Sequence, residues 1–147
     1  WRAQFVSEVI ALVPDEVRED LLLFRIGSGR IDWEQVAAAF QHAEAMLYPG
    51  VSVGFRSPPL EAMASGCPVL ASDLPMHDEV LPPGCLLPST DSDYWVSAIV
   101  EIHSEWARAG GVPRHVDDGL LSLAKGSFGR KAHGDALAKA YGMACEN

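Results

Sequence analysis

The chain has 147 residues, 48% of them hydrophobic and 21% charged, a globular profile of one-domain length, and a domain of this size buries about two thirds of the surface its unfolded chain exposes without needing a staple. With 11 basic and 20 acidic residues the formal charge is −9, which argues against a nucleic-acid backbone as partner. No apolar run is long enough to span a bilayer, no basic cleavable leader is recognisable, and the three cysteines Cys67, Cys85 and Cys145 lack C-x-x-C spacing, so neither a disulfide framework nor a zinc site is expected and the reducing cytoplasm fits best.

Phe5, Val9, Leu12 and Val13 recur at helical spacing up to Pro14–Asp15, which predicts an amphipathic first helix. Leu21 to Ile26, LLLFRI, reads as a strand, and Gly27–Ser28–Gly29 as a turn rather than a phosphate loop, because a lone G-x-G lacks its downstream partner. Asp32 and Gln35 make a capping-box pattern, with Val36, Ala39, Phe40, Ala43 and Leu47 along one apolar face. Ala45 to Tyr48, AMLY, is a compact apolar run suited to a buried parallel strand and closed by Pro49–Gly50. Ser57 can cap the next helix, and Pro58 is tolerated at its first position. Leu60 to Ser65 continue it, and Gly66 supplies the left-handed residue that ends it.

Pro68 to Ser72, PVLAS, predicts another strand. The proline-rich stretch after Asp73 carries His77, Asp78 and Glu79, but adjacent residues rarely point at one ion, so a solvated loop is expected there and no metal ligand is assigned. Cys85 to Leu87 reads as a fourth short strand. Asp91 caps a helix with Trp95, Ile99, Ile102 and Trp106 on its buried stripe, which assigns both tryptophans to the core. After Gly110–Gly111–Val112–Pro113 come two more helical patterns, around Val116 to Ala124 and from about Arg130 to Met143.

Strands alternating with helices imply an α/β fold, a Rossmann-like parallel sheet with flanking helices. In such sheets ligands sit where loops leave the carboxyl ends of strands. Glu61 lies one turn into the helix that follows such a loop, residues 49–57. A carboxylate there either complements the helix dipole or offers two acceptor oxygens to the neighbouring hydroxyls of a ribose, and spacing alone leaves both readings open.

In order along the chain, QVAAAFQHAEAMLYPG, GFRSPPLEAMASGCPVLASDLPMHDEV, GCLLPSTDSDYWVSAI and SFGRKAHGDALAKAYG resemble the carboxyl-terminal half of retaining glycosyltransferases of family 4, which have the two-domain GT-B fold. The most specific part is EAMASGCPVLASD, from Glu61 to Asp73. The resemblance implies that residues 1–147 are a partial GT-B carboxyl-terminal domain, truncated at its amino end, that binds a nucleotide diphosphate sugar. It also implies a separate amino-terminal domain for the acceptor, and transfer without a required metal or cofactor. Within the family's E-x7-E motif, Glu61 takes the position of the ribose-binding glutamate, and Gly54, Phe55, Arg56 and Ser57 occupy the loop that faces sugar and phosphates. Val53 stands where the family has its first glutamate, Pro59 removes one further donor, and no equivalent of the family's diphosphate-neutralising basic pair is assignable. No catalytic residue is therefore assigned. The alternative is a degenerate, non-catalytic domain kept for assembly or binding; an unrelated flavodoxin-like module is disfavoured by the ordered match.

Overall fold

The computed structural model describes residues 3–26, 32–50 and 58–145. Helix α1 (Ala3–Leu12) buries Phe5 and Val9, one turn apart. Pro14 precedes the single turn α2 (Asp15–Arg18), and Val13 and Val17 extend the buried stripe. Helix α3 (Trp33–His42) buries Val36 and Phe40. Asp32 is its N-cap residue, but its side chain makes no capping bond; the main chain alone closes the first turn, Val36 N–H donating to the Asp32 carbonyl at 3.1 Å.

The chain then enters strand β1 (Met46–Tyr48), helix α4 (Pro58–Ala64) and strand β2 (Val69–Ser72). A one-turn helix α5 (Pro75–Asp78) and a 3-10 turn (Pro83–Cys85) lead to strand β3 (Leu86–Leu87). Three helices follow: α6 (Ser92–Arg108), α7 (Asp118–Phe128) and α8 (Arg130–Cys145). Asp91 caps α6 through its carboxylate, which accepts from Asp93 N–H at 3.1 Å. Only the first half of the expected α6 stripe is fully buried, Trp95 and Ile99; Ile102 and Trp106 are half-buried.

The three strands form one parallel sheet in the order β1-β2-β3, with Met46 opposite Val69 and Ser72 opposite Leu87. Their two-residue period divides the core in two. Met46, Tyr48, Val69, Ala71 and Leu86 pack with Phe40, Met63 and Ala124 from α3, α4 and α7. Leu47, Leu70 and Leu87 pack on the other face with Phe5, Val9, Trp95 and Ile99 from α1 and α6. There Phe5 meets Trp95 edge-to-face, ring centroids 5.7 Å apart, and the indole N–H donates to the Pro88 carbonyl at 2.8 Å. A sheet covered by helices on both faces is the expected α/β arrangement.

The predicted strand over 21–26 does not form. Leu21 packs against the α1/α6 core, but the residues after it adopt no strand, and Leu22, Leu23, Phe24 and Ile26 are exposed, Leu22 by 95%. An apolar run becomes a strand only where a neighbouring strand takes up its N–H and C=O groups, and among the described residues no strand pairs with this segment. The turn read at 27–29 lies outside the described residues.

Two devices hold α4 in place. Gly66, at φ 69°, closes a Schellman motif in which Cys67 N–H reaches the Ala62 carbonyl and Gly66 N–H that of Met63, both at 2.9 Å. A Cβ on Gly66 would stand 2.3 Å from Val116 Cγ1 and 2.9 Å from Asp117 N, so the position needs glycine for both conformation and space. Arg114 supplies the second. Its guanidinium donates to the carbonyls of Ala43 and Gly66 at 2.7 Å each and of Phe40 at 3.1 Å, which ties the ends of α3 and α4 to the segment before α7.

Candidate functional site

Because β1, β2 and β3 are parallel, their carboxyl ends share one edge of the sheet, and the connections after β1 and β2 leave from it. Helix α4 must carry the chain back to the start of β2, so its first turn, with Glu61, stands at that carboxyl edge. Pro59, Ala62 and Met63 anchor the helix in the core. Glu61 is left half-buried on the flank, while its peptide carbonyl is held by Ser65 N–H at 3.1 Å and Ser65 Oγ–H at 2.9 Å. Of the site residues read from the sequence, Glu61 is the one that lies among the described residues. Gly54, Phe55, Arg56 and Ser57, with Val53, lie outside the described residues.

At the same edge the structure assembles a group the sequence did not mark. His77, expected in a solvated loop, is 5% exposed. Its Nδ1 lies 2.6 Å from the Ser72 carbonyl at the end of β2. A carbonyl oxygen only accepts, so Nδ1 carries a proton and donates this bond. The imidazole meets the Tyr48 ring edge-on, centroids 5.5 Å apart, at the end of β1. A Cβ on Gly50 would come within 3.4 Å of both His77 Cε1 and Tyr48 Cε1, so the imidazole is wedged between the carboxyl ends of two adjacent strands. Ser72 is fully buried, and its Oγ has no hydrogen-bond partner. No one-dimensional pattern announces this cluster, because Tyr48, Gly50, Ser72 and His77 meet only when β1 pairs with β2.

Asp78 and Glu79, beside His77, are exposed, and no group of three or more His, Cys, Asp or Glu among the described residues could hold a metal ion. Burial pushes the Cys67 thiol above its ordinary range, against the opposing pull of the Arg114 guanidinium, and burial pushes the Cys85 thiol up as well. Both are protonated at neutral pH and unsuited to nucleophilic work. A separate groove of about 350 Å³ is lined by Leu60 of α4 and by Ser127, Phe128, Ala132, His133 and Ala136 of α7 and α8. Its lining is mostly apolar and contains none of the site residues read from the sequence. Among the described residues no helix is long and apolar enough to cross a membrane.

The carboxyl edge of the sheet thus carries the half-buried Glu61 in the first turn of α4 and the buried His77 after β2. The sequence profile of Glycosyl transferases group 1 matches residues 20–105, from the end of α2 to within α6, a stretch that includes the whole sheet, Glu61 and His77. The O-antigen chain mannosyltransferase RfbU of Salmonella typhimurium is 40% identical over 102 residues, which cover 69% of this chain and 28% of that protein. This chain therefore spans well under half the length of that relative. No solved structure matches the chain significantly. A profile match over more than half of the chain, on the segment that builds the parallel sheet, establishes that the chain belongs to the group 1 glycosyl transferases.

Proposed function

We propose that this chain is the donor-side part of a retaining, family-4-type glycosyltransferase of GT-B architecture. It holds a nucleotide diphosphate sugar at the carboxyl edge of the sheet, while an amino-terminal domain outside this chain presents the acceptor. The observation that carries the reading is the placement of Glu61, half-buried in the first turn of the helix that follows β1, at the edge where α/β sheets take their ligands. Two carboxylate oxygens there match the vicinal hydroxyls of a ribose. Gly54, Phe55, Arg56 and Ser57 are the proposed partners of sugar and phosphates. The name of the related mannosyltransferase makes mannose the first sugar to try.

The test is calorimetric titration of the chain with GDP and GDP-mannose, followed by the same titration of Glu61→Gln. The substitution keeps the shape and removes the charge, so binding weakens by about 1.5–3 kcal/mol, the usual worth of hydrogen bonds to an ionised group. Equal affinities would return Glu61 to a partner of the helix dipole. Val53, at the position of the family's first glutamate, favours a second reading, a degenerate domain that binds without transferring. In that case Val53→Glu leaves the folded protein with no preference for GDP-mannose over GDP. A donor pocket instead gains about 1 kcal/mol toward the sugar-bearing ligand.

A further inference from the structure

The last helix, α8, buries almost nothing. Of residues 130–143 none is buried and only Ala132 is half-buried. Ala132, His133 and Ala136 line the groove shared with Leu60 and the end of α7, and the helix packs mainly against α7. A 16-residue helix with Gly134 and Gly142 inside it is marginal on such support. Its outer face, half a turn round from Ala132 and Ala136, carries Lys131, Gly134, Ala138 and Tyr141, with Arg130 and Leu137 at one margin. None of these six is acidic, and Tyr141 is 71% exposed. Charge singles out the same segment. Lys125 to Met143 holds four basic residues and one acidic, whereas the rest of the chain has seven and nineteen, and all three lysines of the protein fall within it. Arg130 and Lys131 stand in the first turn of α8, where the helix dipole disfavours cations and no acidic residue offsets them. Lys131 pairs with Asp135 at 2.7 Å, but both side chains lie largely in water, which makes the pair weak.

We propose that the outer face of α8 is a docking surface for an anionic lipid bilayer, with the helix lying in the plane of the headgroups. Charge complementarity selects this partner. Arg130 and Lys131 meet the lipid phosphates, and Lys125 and Lys139 add to the same local field. Tyr141 and Leu137 supply the amphipathic and apolar contacts of an interfacial helix, while Gly134 and Ala138 keep the face between them flat. The helix lies on the surface and does not cross it, since no described helix is long and apolar enough to span a membrane. The acidic remainder of the chain does not forbid this. Salt screens charges beyond about 10 Å at 0.1 M, so the residues turned toward the bilayer decide the attraction.

The test is co-sedimentation of the 147-residue chain with vesicles of phosphatidylglycerol and phosphatidylcholine in equal parts, beside vesicles of phosphatidylcholine alone. The chain is expected on the anionic vesicles only, and it leaves them as salt rises. The double variant Arg130→Glu, Lys131→Glu weakens binding by roughly 30-fold or more, since each cation near such a surface counts for about a factor of five. Unfolding cannot imitate that result, because glutamates in a first turn favour the helix dipole and the variant's circular dichroism should match the parent's. Tyr141→Ser keeps every charge and also weakens binding, by a smaller factor, as the ring leaves the interface. Equal retention on neutral vesicles, retention on neither, or an Arg130→Glu, Lys131→Glu variant that binds like the parent overturns the inference. Retention on neither, with the chain dimeric by light scattering, gives the face to a second copy instead. None of these outcomes touches the nucleotide-sugar reading, which rests on Glu61 of α4.

Discussion

Replacing Arg114 by alanine is expected to cost far more stability than an ordinary surface truncation, and the structure gives the magnitude. The half-buried guanidinium donates to Ala43 O and Gly66 O at 2.7 Å, to Phe40 O at 3.1 Å and to the neighbouring His115 O at 2.9 Å. Three of these acceptors are carbonyls in the last turn of α3 or beyond the ends of α3 and α4, where intrahelical donors run out. A hydrogen bond to a charged group is worth about 1.5–3 kcal/mol. The three bonds share one cation and water can reach part of the emptied site, so they do not add, and the loss in Arg114→Ala is about 3–4 kcal/mol. For a chain of this length that lowers the thermal midpoint by roughly 10 °C. Lysine keeps the charge but not the fork, and Arg114→Lys recovers about half. Urea unfolding followed by circular dichroism measures both variants. A loss below about 1 kcal/mol in Arg114→Ala, or a lysine variant as stable as the parent, would refute the view that guanidinium geometry ties α3 and α4 together.

Gly66→Ala is expected to destabilise the fold by about 2 kcal/mol or more in the same assay, since the residue is left-handed and its Cβ would strike Val116 and the Asp117 backbone. The His103 Nε2 to Asp20 Oδ2 contact at 2.9 Å joins α6 to the turn after α2, but Asp20 is 48% exposed. Asp20→Asn should therefore cost no more than about 1 kcal/mol, and less in high salt. Burial holds the Cys67 and Cys85 thiols above their ordinary range. Their unfolded forms lose the proton first, so above about pH 8.5 the folded state binds more protons and stability falls with rising pH. A pH series of urea midpoints that stays flat from pH 8 to 10 would contradict this. Finally, the 147-residue chain by itself is expected to transfer no sugar, because transfer requires donor and acceptor held together in one cleft; turnover of GDP-mannose by the purified chain would show otherwise.

What the sequence determined by itself was local. The runs AMLY and PVLAS became β1 and β2, Pro58 and Gly66 marked the start and stop of α4, and the spacing of Trp95 and Ile99 picked the buried face of α6. Each of these signals is complete within one or two turns of chain, so a short window contains the physics. Glu61 was legible for the same reason, since its place relative to strand and helix follows from spacing. Residues 21–26 mark the limit. Their composition is that of a strand, but a strand is a relation between two segments, and among the described residues no second segment pairs with them. His77 and Arg114 show the other side of that limit. An isolated histidine in a proline-rich stretch and an isolated arginine after Gly110–Gly111 carry no pattern of their own. Their roles arise because strand pairing sets Tyr48 beside Ala71 and Ser72, and because α4 packing brings Gly66 against residues 114–117. Hydrogen bonds between segments far apart in sequence exist only once the chain has closed the loops between them, and that is why the tertiary structure alone decided which polar groups are buried and what they bond to.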